Sequence, residues 1–166
     1  WPHTYARTPA AAALQKRELC EILDRLKEAN VNTVLFQTRI RGTMIYPSAM
    51  EPWDGCLSGQ PGLSPGYDAL QFAIDECHKR GIELHAWVVT IPIGKWNGMG
   101  CQKIRRRHPG LVHRIGDEGY LDPGKPATAE YQTMMSTAYT STTYATRKTG
   151  NRGQKATSAA ATSPAL

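Results

Sequence analysis

Two short apolar stretches of the sequence carry polar and aromatic side chains that suit a polyhydroxylated ligand. If both stretches are strands, alternation of side chains places Gln37 and Arg39 on one face of the first and His85 and Trp87 on one face of the second. Aromatic planes and hydrogen-bond donors fit sugar rings and hydroxyls, whereas a small apolar ligand does not need them. These four residues are therefore the predicted lining of a binding site.

Each of these residues also has a structural interpretation, which the sequence leaves open. A single histidine in a strand is more often a hydrogen-bonded structural residue than a catalyst. Arg39 can equally be an ion-pair partner inside the protein. A long loop over residues 41–66 carries Tyr46 and Trp53, and Tyr67 follows directly after it. Long loops in compact domains are often functional, so this loop can be a substrate wall. It can equally be a packed surface loop.

The sequence offers few acidic residues that could act as catalytic groups. No pair of carboxylates is placed for glycosidase acid and base work, and Asp122 is the only acidic candidate that stands out. The sequence also contains no Gly-rich phosphate loop, no HExxH motif and no zinc-ligand spacing. No metal and no cofactor are therefore expected.

The elements that must position these residues alternate between helix and strand. Residues 10–29 repeat apolar side chains with helical spacing, and Asp68 is a predicted cap for a second helix that Gly81 ends. Residues 31–40 and 82–91 are predicted as buried strands of a parallel sheet. Residues 92–122 are predicted to be loop-rich with one short helix near residues 100–108. The predicted fold class is α/β.

The last part of the chain has a different composition. All 14 acidic residues lie at or before Glu130, while the net charge is +6 over the whole chain. Between Leu121 and Leu166 there is no Leu, Ile, Val, Phe or Trp, and residues 132–166 are mostly Ser, Thr and Ala. Such a segment buries too little surface to offset its chain entropy. We expect one domain over residues 1–131 and a disordered tail over 132–166.

Three further features bear on partners and compartment. The basic run from Lys103 to Arg107 is more typical of a solvated helix face than of a nucleic-acid site, so no nucleic-acid partner is expected. A disulfide between Cys56 and Cys101 is possible but cannot be deduced from sequence. No apolar run reaches transmembrane length and no signal peptide is visible, although the chain opens abruptly at Trp1. The oligomeric state is left open.

Three segments together resemble the glycosyl-hydrolase-like family 10 proteins. They are QKRELCEILDRLKEANVNTVLFQTRIRGTMIYPSAMEPWDGCLSG, SPGYDALQFAIDECHKRGIELHAWVV and EGYLDPGKP, within roughly residues 1–131. The resemblance implies a (β/α)8 barrel that acts on glycans, peptidoglycan strands among them, and an extracytoplasmic location in the periplasm or cell envelope. A complete barrel of this type needs about 250 residues. We therefore expect an incomplete TIM-type barrel, its first half only, lacking the first family strand.

The catalytic motif that the family carries next, DxDGIHxDYxRYP, is missing from the sequence as written. The codons allowed by Met135 to Thr149, read one nucleotide earlier, include D-V-D-G-I-H-L-D-Y-I-R-Y-P-E-N-W. Because Met134 and Met135 each have a single codon, the first aspartate of this reading is fixed. We therefore predict a frameshift between about Tyr131 and Met134, accompanied by a deletion, and a tail that is a translation artefact.

The resemblance also assigns roles to residues of this chain. It implies a sugar site lined by Gln37, Arg39, His85 and Trp87, with loop contributions from Tyr46, Trp53 and Tyr67, and a glycan as the partner. The catalytic aspartates would belong to the lost strand, so this chain is expected to be inactive. The alternative is a non-catalytic glycan-binding or scaffold protein in which the tail is a genuine linker. Nucleic-acid binding through Lys103 to Arg107 is the third hypothesis.

Overall fold

The computed structural model describes residues 1–135, which form a mixed α/β fold. The first element is helix α1, Pro9–Glu28, where the Thr8 side chain caps the amino end by accepting a hydrogen bond from the Ala11 amide. Asn30 follows the helix with φ of 57°, the left-handed conformation that commonly ends a helix. The predicted helix over residues 10–29 is confirmed to within one residue at each end.

A parallel pair of strands follows the predicted alternation. Strand β1, Thr33–Arg39, pairs in parallel with strand β2, Glu83–Val88, and helix α3, Ala69–Lys79, lies between them in the chain. The Asp68 carboxylate accepts a hydrogen bond of 3.0 Å from the Gln71 amide, so the predicted cap of this helix is confirmed. Both strands are shorter than predicted, β1 mainly at its amino end and β2 mainly at its carboxyl end.

One face of the parallel pair is packed and the other is open. Val34, Phe36 and Leu84 pack against the buried side chains of α1 and α3. The buried members on the helix side are Leu19, Leu23, Ala73, Cys77 and Ile82. On the opposite face Leu35 is 73% exposed and Trp87 is 55% exposed. Helices therefore cover only one side of the two strands among the described residues.

An antiparallel insertion follows the parallel pair. Its elements are strand β3, Pro92–Lys95, helix α4, Met99–Arg107, strand β4, Val112–Ile115, and strand β5, Glu118–Leu121, with the strands in the order β3–β5–β4. The short helix was predicted, but the description of the segment as loop-rich was wrong. Strands of four residues are too short to show a clear alternation of apolar and polar side chains.

The long loop after β1 and the end of the described chain both contribute to the core. The loop contains the short helix α2, Gly55–Ser58, capped by Asp54. Residues 126–135 are helical and are named α5, and their Tyr131 and Met135 are buried. The predicted domain boundary after Tyr131 thus falls inside α5. Residues 136–166 lie outside the described part of the chain, and with them the predicted disorder and the shifted reading of the catalytic motif.

One hydrophobic core joins the loop, the insertion, α3 and α5. Its buried members include Met44, Leu57, Leu70, Ile74, Ile93, Cys101, Ile104, Leu111, Leu121, Tyr131 and Met135. Burial of side chains of this size stabilises a fold by about 1.5–3 kcal/mol each. In residues 1–135 no helix is both long enough and apolar enough to cross a membrane.

Backbone-to-backbone contacts at glycines fix the insertion against the loop. A Cβ atom at Gly100 in α4 would lie 2.2 Å from the Gly42 carbonyl oxygen, and one at Gly94 would lie 3.1 Å from the Arg41 carbonyl oxygen. Side chains at these positions would hold the two segments apart. The absence of side chains at Gly94 and Gly100 therefore allows the loop after β1 to seat directly on the insertion.

Gly100→Ala is expected to destabilise the fold by about 1–3 kcal/mol, although alanine is the better helix former by about 1 kcal/mol. The reason is the clash with the Gly42 backbone, which has no flexible side chain to give way. Gly110→Ala is the matched control, because a Cβ there meets only the far end of Lys125 at 3.8 Å. Denaturant unfolding of both variants measures the difference, and a stabilised Gly100→Ala variant would contradict this close packing.

Candidate functional site

The open face of the parallel pair brings together three of the predicted site residues. In the register of the two strands Gln37 lies beside Trp87, and Leu35 lies beside His85. Gln37, His85 and Trp87 therefore lie on the same face of the strand pair, as predicted. Gln37 and Trp87 are the pair nearer the carboxyl ends of the strands, which is the end where βα barrels carry their active sites.

Arg39 departs from the prediction. The register slips between Gln37 and Arg39, so Arg39 pairs with Val88 and the simple alternation along β1 is broken. Such a bulge re-aims the side chain that follows it. Arg39 is 1% exposed and lies in the protein interior. The expectation that it shares the open face with Gln37 was wrong, and the ion-pair interpretation describes its position.

The Arg39 guanidinium is the centre of a buried polar network. Its Nε donates to Glu51 Oε2 at 2.8 Å and its Nη2 donates to Glu51 Oε1 at 2.7 Å. Its Nη1 donates to the carbonyl oxygens of Val89 and Thr90, just beyond β2. The two-pronged geometry is the strong form of an arginine–carboxylate pair. It joins the end of β1, the following loop and the end of β2.

Helix α5 joins the same network through Tyr131. The Tyr131 hydroxyl donates to Glu51 Oε1 at 2.7 Å, and both side chains are buried. Burial and the neighbouring Glu51 carboxylate raise the pKa of Tyr131 well above its usual value, so the hydroxyl stays protonated and remains a donor. Sequence reasoning missed both Glu51 and Tyr131, because the loop and helix that carry them give no local sign of the contact.

The three aromatic residues predicted to contribute from the long loop are packed against the protein and do not project into the solvent. Tyr46 is buried in the main core, and Trp53 is partly buried against it. The Tyr67 hydroxyl donates to Gln15 Oε1 at 2.6 Å, and burial raises the pKa of this hydroxyl. Lys16 lies over the Tyr67 ring at 4.5 Å. Of the two open interpretations, these contacts agree with the packed loop.

Asp122 lies in the insertion and not on the open strand face. Its Oδ2 is 2.9 Å from His113 Nε2, and its Oδ1 accepts a hydrogen bond from the Gly124 amide. The hydrogen bond from His113 and the one from Gly124 hold the pKa of Asp122 below its usual range. A general acid needs a raised pKa, so this environment favours a structural carboxylate.

A pocket of about 300 Å³ lies between the loop after β1 and the insertion. Its charged lining residues are Arg41, Asp54, Lys95 and Glu118. The Asp54 carboxylate caps α2 and accepts a hydrogen bond from the Thr43 hydroxyl, while Glu118 Oε1 lies 3.0 Å from Lys95 Nζ. Two strands of the insertion, strand β2 and three helices lie between Asp54 and Glu118 in the chain, so only the fold shows that they share a pocket.

The other sequence features remain structural within the described residues. All four cysteines are free thiols, including Cys56 and Cys101. In the basic run of α4, Arg105 lies 4.1 Å over the Trp96 ring and Arg107 donates to the Ala49 carbonyl oxygen. Among residues 1–135 no group of three or more His, Cys, Asp or Glu side chains is placed to hold a metal ion.

Comparison with known proteins identifies the family of this chain. The family model described as Glycosyl hydrolase-like 10 matches residues 4–139. The chain therefore belongs to the glycosyl-hydrolase-like family 10, as its sequence segments indicated.

Named relatives support the same assignment. The chain is 37% identical over 136 residues to "Glycosyl hydrolase DigH" of Escherichia coli (strain K12), covering 75% of this chain and 31% of the relative. It is 36% identical over 121 residues to "Glycosyl hydrolase YngK" of Bacillus subtilis (strain 168), covering 70% of this chain and 24% of the relative. The chain thus spans about a third or less of the length of these relatives.

Glu51→Gln is expected to destabilise the fold by about 3–5 kcal/mol, because it leaves the buried Arg39 charge without its counter-charge. Asp117→Asn is the matched control, since its partner Lys95 and Asp117 itself are both exposed, and we expect no measurable change in stability. Urea unfolding followed by circular dichroism measures both. A loss below about 1 kcal/mol for Glu51→Gln would show that the network is not central to stability.

Proposed function

We propose that the intact protein is a glycoside hydrolase with a (β/α)8 barrel, acting on a bacterial glycan such as peptidoglycan strands or on another polysaccharide. In this proposal the open face of β1 and β2 is part of the barrel interior. Gln37 and Trp87 then belong to the layer next to the active-site mouth, with Leu35 and His85 in the layer beneath. The names and family of the relatives support hydrolysis of glycosidic bonds.

The observation that carries the proposal is the exposure of apolar surface on one strand face only. Leu35 and Trp87 lie more than half exposed on the face opposite the helices. Large side chains in that position favour a face that is covered by further strands or by a ligand. An indole ring beside an amide also suits a sugar, because the ring stacks on the apolar face of a pyranose and the amide bonds its hydroxyls.

The acidic machinery is proposed to lie in the shifted reading frame. The motif D-V-D-G-I-H-L-D-Y-I-R-Y-P supplies aspartates of the kind that glycoside hydrolysis requires, whereas the described residues offer Asp122 only in a structural pairing. The chain as written is therefore proposed to be inactive. An extracytoplasmic location, in the periplasm or cell envelope, goes with a substrate that lies there.

The alternative proposal is a non-catalytic glycan-binding protein. The same open face with Trp87 and Gln37 supports it, since binding needs the platform but not the carboxylates. The two proposals make the same prediction for binding and opposite predictions for hydrolysis once the shifted motif is restored. Nucleic-acid binding receives less support, because Arg105 and Arg107 are already engaged within the fold.

Trp87→Ala is expected to weaken binding of a neutral chitin tetrasaccharide by about tenfold, a change that corresponds to about 1.4 kcal/mol. The stacking platform is lost, while stability changes by less than about 0.5 kcal/mol because the side chain is exposed. Isothermal titration calorimetry and tryptophan fluorescence measure the binding. Tyr5→Ala is the control, because Tyr5 is a similarly exposed aromatic at 53% and lies outside the parallel pair. Equal affinities in wild type and Trp87→Ala would contradict the glycan site.

Restoring the shifted frame is expected to convert an inactive chain into a hydrolase. Sequencing the source DNA across the codons for Pro123 to Gly150, and downstream of them, establishes which frame is present. The repaired and unrepaired proteins are then compared for release of reducing ends from peptidoglycan glycan strands. Hydrolysis by the 166-residue chain as written would overturn the proposed inactivity. A repaired protein that binds glycan without cleaving it would favour the alternative.

A further inference from the structure

Arg41 lies in a backbone conformation that its side chain disfavours. It follows β1 in a tight turn, in which the Ile40 amide donates to the Thr43 carbonyl oxygen at 2.8 Å. The two central residues, Arg41 and Gly42, have φ of 53° and 84°. Turns with positive φ at both positions prefer Gly, Asn or Asp, and a long side chain in the left-handed region costs about 1 kcal/mol. Departures of this kind from local preference are concentrated at functional sites.

The turn is held rigidly against the pocket described above. The Gly42 backbone lies so close to Gly100 that a Cβ there would clash, and the Arg41 carbonyl oxygen lies against Gly94. The pocket is lined by Ile40 and Arg41 from the turn and by Ile93 from the insertion, just beyond the carboxyl ends of β1 and β2. This is the end of the strands at which the proposed glycan site opens.

Most charges of the pocket are satisfied within the protein. Both Asp54 oxygens accept hydrogen bonds, from Thr43 and from the Cys56 amide. Lys95 pairs with Asp117 at 2.9 Å and with Glu118 at 3.0 Å. Arg41 is exposed, and its guanidinium makes no hydrogen bond or ion pair with any residue of the described chain, 1–135. Its positive charge is therefore available to a ligand.

The segment that walls one side of this pocket carries a net positive charge, and its Lys95 lines the pocket. Residues 91–125 carry seven basic side chains against three acidic ones, whereas residues 1–90 carry nine basic against ten acidic. Positive charge is thus concentrated in the part of the protein that walls the pocket. A cleft in such a field attracts anions and raises their local concentration.

We propose that this pocket is a subsite for a carboxylate-bearing sugar unit of the glycan, and that Arg41 is the residue that selects it. A guanidinium binds a carboxylate through two parallel hydrogen bonds, which gives both affinity and orientation. The inference rests on the proposed function, because it places one more sugar of the same glycan beyond Trp87. In this proposal Arg41, which is exposed and lies outside the buried Arg39–Glu51 network, causes the preference for an acidic sugar over a neutral one.

The test compares a hyaluronan tetrasaccharide, which alternates glucuronate with N-acetylglucosamine, with its methyl ester, which keeps the shape and removes the charge. Calorimetry on the full chain is expected to show the acid bound about tenfold more tightly than the ester. Arg41→Asn is expected to abolish that difference without unfolding the protein, because asparagine tolerates the left-handed conformation. Arg41→Lys is expected to fall between the two, since it keeps the charge and loses the paired donors.

Arg106→Gln is the matched control, because it removes the same charge from an exposed position on α4. Affinity for the acid is expected to change by less than about twofold in this variant, owing to screening by solvent and salt. Equal binding of acid and ester by the wild type, equal losses in the Arg41 and Arg106 variants, or no binding of the acid would each overturn the subsite. Binding of chitin tetrasaccharide that still depends on Trp87 would leave the proposed function standing in all of these cases.

Discussion

The buried pairing of Arg39 with Glu51 is the interaction on which the described structure depends most. It is formed by two charges that water does not reach, so each needs the other and both need further hydrogen bonds. The backbone just beyond β2 and the Tyr131 hydroxyl supply those bonds. The pair therefore joins four segments that are far apart in the chain, and loss of either charge would leave the other unpaired in the core.

This network also determines what the strands can offer to a ligand. The bulge after Gln37 turns Arg39 inward. The open face therefore ends with Gln37 and Trp87, and β1 contributes no charged side chain beside them. The helices pack on the opposite side and leave this face uncovered in the described residues. A polar amide beside an exposed indole, above a layer formed by Leu35 and His85, is the arrangement that the proposed glycan site uses.

The insertion forms the second wall of the pocket beside the turn at Arg41. Its short antiparallel strands contribute Ile93 and Leu121 to the same core as the loop after β1, and glycine contacts bring the two backbones together. Since that junction admits no side chain, the turn at Arg41 has little freedom to move. The rigid turn places an exposed positive charge beside a pocket whose other charges are already paired, which explains why an acidic sugar is the ligand proposed there.

The sequence by itself determined α1, α3, the parallel strand pair and the family, because helix periodicity, the Asp68 cap and short apolar runs are local signals. It also identified the face shared by Gln37, His85 and Trp87, since alternation holds until the chain departs from it. Only the tertiary structure decided the position of Arg39, whose bulge and distant partner Glu51 leave no periodic trace. The insertion strands were missed because four residues are too few to show an alternation, and the pocket was set by contacts between distant segments.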